Sequence, residues 1–217
     1  MLELYLIRHG ETLWNQDSKY QGHQDVPLSD KGRQQAGRLA HWLKDVNIDA
    51  FYASDLSRAY DTAKAMAEER GLEVKLDKRL REVNFGDWEG RTYQEIKRLY
   101  PELVQQWITD PSSVQLPQGE DFGLVKKRAY EAVKEIIECR QYEGRIAVVS
   151  HGATIRTILC SVLDLPLKAM WQIEQGNTAL NIIKFHKDHP PIMNLFNSVW
   201  HSRRQEARSR KKEDKIN

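Results

Sequence analysis

The strongest constraint on this chain is an alternation: short runs rich in Val, Ile and Leu recur between longer amphipathic stretches. A short apolar run bounded by turns packs as a buried strand, and an amphipathic stretch between two such runs packs as a helix on the sheet they form. The pattern predicts strands over residues 2–7, 50–53, 73–76, 146–150 and 179–185, with an edge strand over 192–199. Helices are expected over 30–46, 57–70, 92–100, 122–139 and 154–163, the third opened by the capping box Thr92-x-x-Glu95. The plan is α/β and three-layered, a mostly parallel sheet flanked by helices. A chain of 217 residues can bury one large core, so a single domain over residues 1–200 is expected. Residues 86–123 differ in texture, carrying Trp88, Trp107, Pro101, Pro111 and Pro117 with little strand character, and read as a helical insertion over one end of the sheet.

Composition excludes several classes. No apolar run approaches the roughly 20 residues of a membrane span, and the first residues lack the basic region and cleavage site of a signal peptide, so a cytoplasmic protein without a membrane partner is expected. Cys139 and Cys160 are far apart and form no C-x-x-C pair, as suits small hydrophobes better than a disulfide or metal site. The formal charge of +2 comes from the terminus: residues 203–217 hold seven Lys/Arg and three Asp/Glu, leaving 26 basic and 28 acidic residues elsewhere. Nucleic acid is therefore expected to engage, if at all, through the basic tail at 201–217, while a homodimer stays open.

In an open parallel sheet, ligands bind beyond the carboxyl ends of the strands. The first strand delivers Arg8-His9-Gly10, the second delivers Ser54 and then Arg58, and the fourth delivers Ser150-His151-Gly152. Two imidazoles and two guanidinium groups at one rim, with no acid cluster beside them, are costly to bury unless an anion binds there. Guanidinium forks match phosphoryl oxygens, and imidazole offers both a nucleophilic nitrogen and a donor. No set of ligands at metal spacing accompanies these histidines, and His186-x-x-His189 before Pro190-Pro191 reads as a surface loop, so neither metal nor organic cofactor is expected.

The ordered set Leu6-Ile7-Arg8-His9-Gly10-Glu11-Thr12 with Asn15, Pro27-Leu28-Ser29-x-x-Gly32, Ser54-x-x-x-Arg58-Ala59-x-x-Thr62-Ala63, Glu82 and Ser150-His151-Gly152 resembles the histidine phosphatase superfamily, the phosphoglycerate-mutase-like fold. The resemblance runs from residue 2 to about residue 185. It implies an enzyme that hydrolyses a small phosphomonoester, with His9 as nucleophile, Glu82 as proton donor to the leaving oxygen, and Arg8, Arg58 and His151 around the phosphoryl group. Asn15, Gln21, Gly22 and Gly152 are expected as further phosphate contacts. Such a mechanism predicts a bell-shaped pH dependence with an acidic-to-neutral optimum.

The same pocket can return the phosphoryl group to another oxygen, which makes a mutase. The resemblance implies that cofactor-dependent mutases carry a longer insertion with extra basic residues, whereas here 69 positions separate Glu82 from His151. Gly86-Asp87-Trp88-Glu89-Gly90 is similar to the phosphatase branch, and its acids would repel a bisphosphate. Residues 85–90, Thr92-Tyr93-x-x-Ile96, Trp107, Asp110-Pro111 and Pro117-x-Gly119-Glu120 look most like α-ribazole phosphatases of cobalamin biosynthesis, with Asp121 standing where that subgroup usually has Ser. Trp14, Trp88 and Trp107 either stack on an aromatic leaving group or pack beneath the insertion. A broad-specificity phosphatase is the alternative, and a phosphate-binding scaffold without catalysis would need neither His9 nor Glu82.

Overall fold

The computed structural model describes residues 1–202; the basic tail beyond Ser202 lies outside the described residues. Six strands, β1 (Leu2–Arg8), β2 (Ala50–Ala53), β3 (Val74–Leu76), β4 (Gly144–Ser150), β5 (Leu180–Phe185) and β6 (Ile192–Ser198), form one sheet in the order β3-β2-β4-β1-β5-β6. β3, β2, β4 and β1 run parallel, β5 runs against β1, and β6 runs against β5. The sheet is mixed and mostly parallel, with β5 the reversed strand.

Alternation along the strands sorts side chains into two cores. Leu2, Leu4, Leu6, Ile146 and Val148 face one side, where α6 (Phe122–Cys139) and α7 (Gly152–Val162) pack over them. Tyr5, Ile7, Ala147 and Val149 face the other, under α2 (Asp30–Trp42) and α3 (Ser57–Ala67). A one-residue slip would exchange the faces, and each fully buried aliphatic side chain contributes about 1.5–3 kcal/mol, so the register Leu4↔Ile146, Leu6↔Val148 is strongly specified. That register also sets Arg8 opposite Ser150, and the backbone N–H of His9 continues the ladder by donating to the Ser150 carbonyl at 3.0 Å. His9 and His151 thus leave adjacent parallel strands at the same level.

Several boundaries differ from the sequence pattern for identifiable reasons. α3 tightens into a 3-10 turn at Glu68–Arg70 and stops at Gly71, which takes the left-handed conformation with φ of 63°. α7 starts directly after His151, two residues earlier than the apolar spacing implies. A short α1 (Leu13–Gln16) is capped by Thr12, and α4 (Tyr93–Leu99) opens with the expected Thr92–Glu95 capping box. α5 (Pro101–Thr109) was not signalled by the pattern; Pro101 looks like a breaker but occupies the first helical turn, where its missing N–H has no intrahelical partner to lose. Asp121 caps α6 by accepting from the Leu124 N–H at 2.8 Å, a task that Ser performs equally well.

Residues 86–123 hold α4 and α5 and an aromatic cluster beside the sheet's carboxyl end. Trp88 and Trp107 meet edge to face at 5.3 Å, and Trp107 and Trp171 at 4.5 Å. Among the described residues, no helix is long and apolar enough to cross a membrane.

Candidate active site

The loop after β1 is built for close approach. A Cβ on Gly10 would lie 2.7 Å from the carbonyl oxygen of Gly32, so the first motif and the start of α2 touch backbone to backbone. The Gly10 N–H donates to Thr62 Oγ1 at 3.0 Å, tying the same loop to α3. These contacts explain why Gly10, Ser29-x-x-Gly32 and Thr62 occur together.

Arg8, His9, Asn15, Gln21, Arg58 and Glu82 line one cavity of about 210 Å³. Gly152 adds the first backbone turn of α7, and the His151 ring stands beside that of His9 with centroids 5.1 Å apart. Arg58 is fully buried in the first turn of α3, and its guanidinium donates to the carbonyls of Gln24 and Gly22, both at 2.8 Å. Arg8 donates to the Gln175 carbonyl at 2.6 Å. The Nε of each arginine and both ring nitrogens of His151 are buried without a protein partner. Such a concentration of unmatched donors is what a tetrahedral oxyanion would satisfy. Two expected contacts are not among the residues lining the cavity: His151 is fully buried behind it, beside the His9 ring, and the Gly22 carbonyl is spent on orienting Arg58.

His9 Nδ1 lies 2.7 Å from the Gly10 carbonyl oxygen. A carbonyl can only accept, so Nδ1 carries the proton and Nε2 keeps its lone pair. Burial first, then the charges of Arg58 and Arg8, hold the His9 imidazole well below its ordinary pKa, and His151 is displaced the same way by burial, Arg58, His9 and Arg8. Burial also pushes Arg8 and Arg58 down to about 10, which leaves both charged at neutral pH. In the unfolded chain both imidazoles bind protons below about pH 6.5, protons the folded state refuses, so this pair stabilises the fold less as pH falls through that value. Imidazole NMR at pH 6.5 is therefore expected to show both rings neutral in the free protein; a half-protonated His9 there contradicts the assignment.

Glu82 enters from the loop after β3. Its Oε1 accepts from the N–H of Val83 at 3.0 Å, the N–H of Thr154 at 3.0 Å and Thr154 Oγ1 at 3.1 Å, while Oε2 has a single longer contact, 3.2 Å from the Ala153 N–H. The early start of α7 makes this possible, because it points unpaired first-turn N–H groups at the carboxylate. Asn15 Oδ1 accepts from the Thr12 N–H at 3.1 Å and from Asn177 Nδ2 at 3.3 Å, which orients its amide.

Sequence reasoning missed Tyr20, Phe85, Arg156 and Trp171, which complete the wall beyond the phosphoryl end. Arg156 had a usable signal, lying four residues beyond Gly152 and hence on the same face of α7. Of the three tryptophans singled out, Trp107 reaches the cavity, Trp88 is fully buried beneath it, and Trp14 packs over Gly90. His186 and His189 face each other at 6.1 Å, and among the described residues no three His, Cys, Asp or Glu side chains gather as a metal site.

The family model described as histidine phosphatase superfamily (branch 1) matches residues 4–198. The chain belongs to this superfamily. Phosphoserine phosphatase 1 of Hydrogenobacter thermophilus is 33% identical over 195 residues, covering 90% of this chain and 92% of the relative. Phosphoglycerate mutase-like protein 4 of Arabidopsis thaliana is 42% identical over 203 residues, covering 92% and 86%. The solved α-ribazole phosphatase from Shigella flexneri superposes with a TM-score of 0.82 at 30% identity, covering 91% of this chain and 96% of that one. The chain is a histidine phosphatase of the phosphoglycerate-mutase-like fold, an enzyme that hydrolyses phosphoric monoesters.

Proposed function

We infer that this phosphatase acts on small phosphomonoesters through a phosphohistidine formed at His9. One observation carries the reading: Nδ1–H is tied to Gly10, so the Nε2 lone pair is left free in a cavity that Arg8 and Arg58 also line. Nε2 attacks phosphorus, the P–O ester bond breaks, and the leaving oxygen takes a proton from Glu82. A water oxygen then attacks phosphorus while Glu82 takes one of its protons, the P–N bond breaks with its electron pair returning to His9 Nε2, and inorganic phosphate leaves. Oε2 of Glu82 has the lighter hydrogen-bond load and is the oxygen suited to carry that proton. Arg8, Arg58, His151 and Asn15 bind the phosphoryl oxygens, where fixed donors stabilise developing charge without reorganisation. Gln21 and Gly152 lie at the same wall, and Gly22 contributes by holding Arg58.

The cavity favours a small leaving group. Pockets enclosing drug-sized ligands span roughly 300–1,000 Å³, and this one holds about 210 Å³. A ribose bearing a benzimidazole, as in α-ribazole 5′-phosphate, would extend outside it. The resemblance in the 85–121 region keeps that ester as the competing substrate, and comparative phosphate release decides between them.

Glu82→Gln tests the division of labour. General acid catalysis contributes about 10²–10⁴-fold, and it matters least when the leaving group is already acidic. In kcat/KM, which reports phosphoryl transfer to His9 and not the later hydrolysis that both esters share, the variant is expected to lose on the order of 10³-fold on alkyl phosphates and within about tenfold on p-nitrophenyl phosphate. Equal losses on both esters contradict an acid role for Glu82.

A further inference from the structure

Arg156 is a third guanidinium at the cavity, and nothing in the phosphoryl chemistry needs it. It projects from α7 into the wall that Tyr20, Phe85, Trp107 and Trp171 form on the leaving-group side. Its Nε donates to the Ile173 carbonyl at 2.6 Å, and its guanidinium carbon lies 5.9 Å from the centre of the Trp171 ring, so the planar group is held in place. Among the described residues, the bond to Ile173 is its one hydrogen bond and it forms no ion pair. The indole N–H of Trp107 in the same wall is also buried without an acceptor. Burial pushes the Arg156 pKa down, the sign of a charge whose desolvation its neighbours do not repay.

We propose that Arg156 is a specificity-determining residue that binds a carboxylate on the leaving group, so that the preferred substrates are small phosphorylated hydroxy acids or hydroxy amino acids. The inference rests on the phosphatase reading above and adds the substrate class. A carboxylate matches the two free guanidinium nitrogens as a planar pair. A neutral polyol would bring no anion to the two terminal guanidinium nitrogens, whose burial the charges of Glu82 and Glu174 offset only in part. A nucleoside would not bring an anion to it, and the cavity volume leaves little room for a second phosphate dianion beside the first.

The test uses paired substrates that differ at one group. O-phospho-L-serine against O-phosphoethanolamine, and 3-phosphoglycerate against glycerol 3-phosphate, change a carboxylate for hydrogen or hydroxymethyl. The wild-type enzyme is expected to prefer the carboxylate member of each pair by about 10- to 150-fold in kcat/KM, the equivalent of the roughly 1.5–3 kcal/mol that a lost charged hydrogen-bond partner costs. Arg156→Met is expected to reduce that preference at least tenfold, chiefly through KM, and Arg156→Lys to give an intermediate ratio. A wild-type enzyme indifferent to the carboxylate overturns the proposal without needing a variant, and so does a preference that Arg156→Met retains. Failure to release phosphate from any of the four esters or from p-nitrophenyl phosphate instead overturns the functional reading on which the proposal stands.

Discussion

His9→Ala is expected to lower kcat on the order of 10⁴-fold or more, the scale on which removal of a nucleophile acts in other covalent hydrolases. The fold should survive, because His9 contributes one side-chain hydrogen bond, to Gly10, and removing a desolvated imidazole beside two guanidinium groups relieves as much as it loses. The variant's unfolding free energy is therefore expected within about 1 kcal/mol of wild type. Binding should be retained better than turnover, since Arg8, Arg58 and the His151 ring stay in place to hold orthovanadate or phosphate. Steady-state kinetics, circular dichroism and anion titration on one preparation check all three. A variant with more than a tenth of wild-type kcat contradicts the role given to His9.

Arg128→Met is expected to cost the fold about 3 kcal/mol although Arg128 does not line the cavity. Arg128 donates to both oxygens of Glu120, at 2.9 and 2.8 Å, and to the carbonyls of Arg79, Arg81 and Glu82 at 2.6, 2.8 and 2.9 Å. Glu120 in turn accepts from the Asn84 N–H at 2.8 Å, so one ion pair fixes both ends of the loop that carries Glu82. Methionine keeps most of the volume but leaves a half-buried carboxylate without its ion-pair partner and the Arg79 carbonyl without a donor, while the Arg81 and Glu82 carbonyls keep Thr154 Oγ1 and His23. Breaking one side of such a pair costs about 3–5 kcal/mol, and partial exposure of both side chains points to the lower end. For a chain of this size about 3 kcal/mol corresponds to a drop on the order of 6–12 °C in Tm. Turnover of alkyl phosphates should fall more than that of p-nitrophenyl phosphate, because the loop that slackens carries the proposed acid. An unchanged Tm would contradict the clamp.

The same pair carries a pH signature. Burial works against ionisation of Glu120, but the Arg128 hydrogen bonds and the Asn84 N–H hold its carboxyl below the ordinary carboxylate value. Its stabilising contribution is thus complete above about pH 4.5 and is lost as pH falls through the depressed value.

Much of the architecture was legible because it rests on local rules. The near-continuous apolar runs at residues 2–7 and 146–150 mark central strands covered on both faces, and once β1 and β4 pair in register, Arg8-His9 and Ser150-His151 must meet. Arg58 was legible as a cation one helical turn beyond a strand end. What escaped was set by packing between distant segments. Trp171 reaches the cavity from a 3-10 turn, Leu167–Gln172, that has no strong local pattern, and the Trp107 carbonyl holds it through a 3.0 Å bond from the indole N–H. Tyr20 and Phe85 join the same wall through an edge-to-face contact at 5.0 Å between segments 65 residues apart. Trp88 and Trp107 illustrate the limit most plainly: both are aromatic residues of one insertion, yet one is core and the other cavity wall, a distinction made by α5, whose opening proline hid it from the sequence pattern.

The most direct test of the account is to quench the wild-type enzyme in alkali during turnover of ³²P-labelled p-nitrophenyl phosphate and map the labelled peptide. The account predicts acid-labile, alkali-stable label in the peptide carrying Arg8-His9-Gly10, on the His9 imidazole. Label on a serine, on an acidic residue or on His151, or turnover with no labelled protein at all, would contradict it.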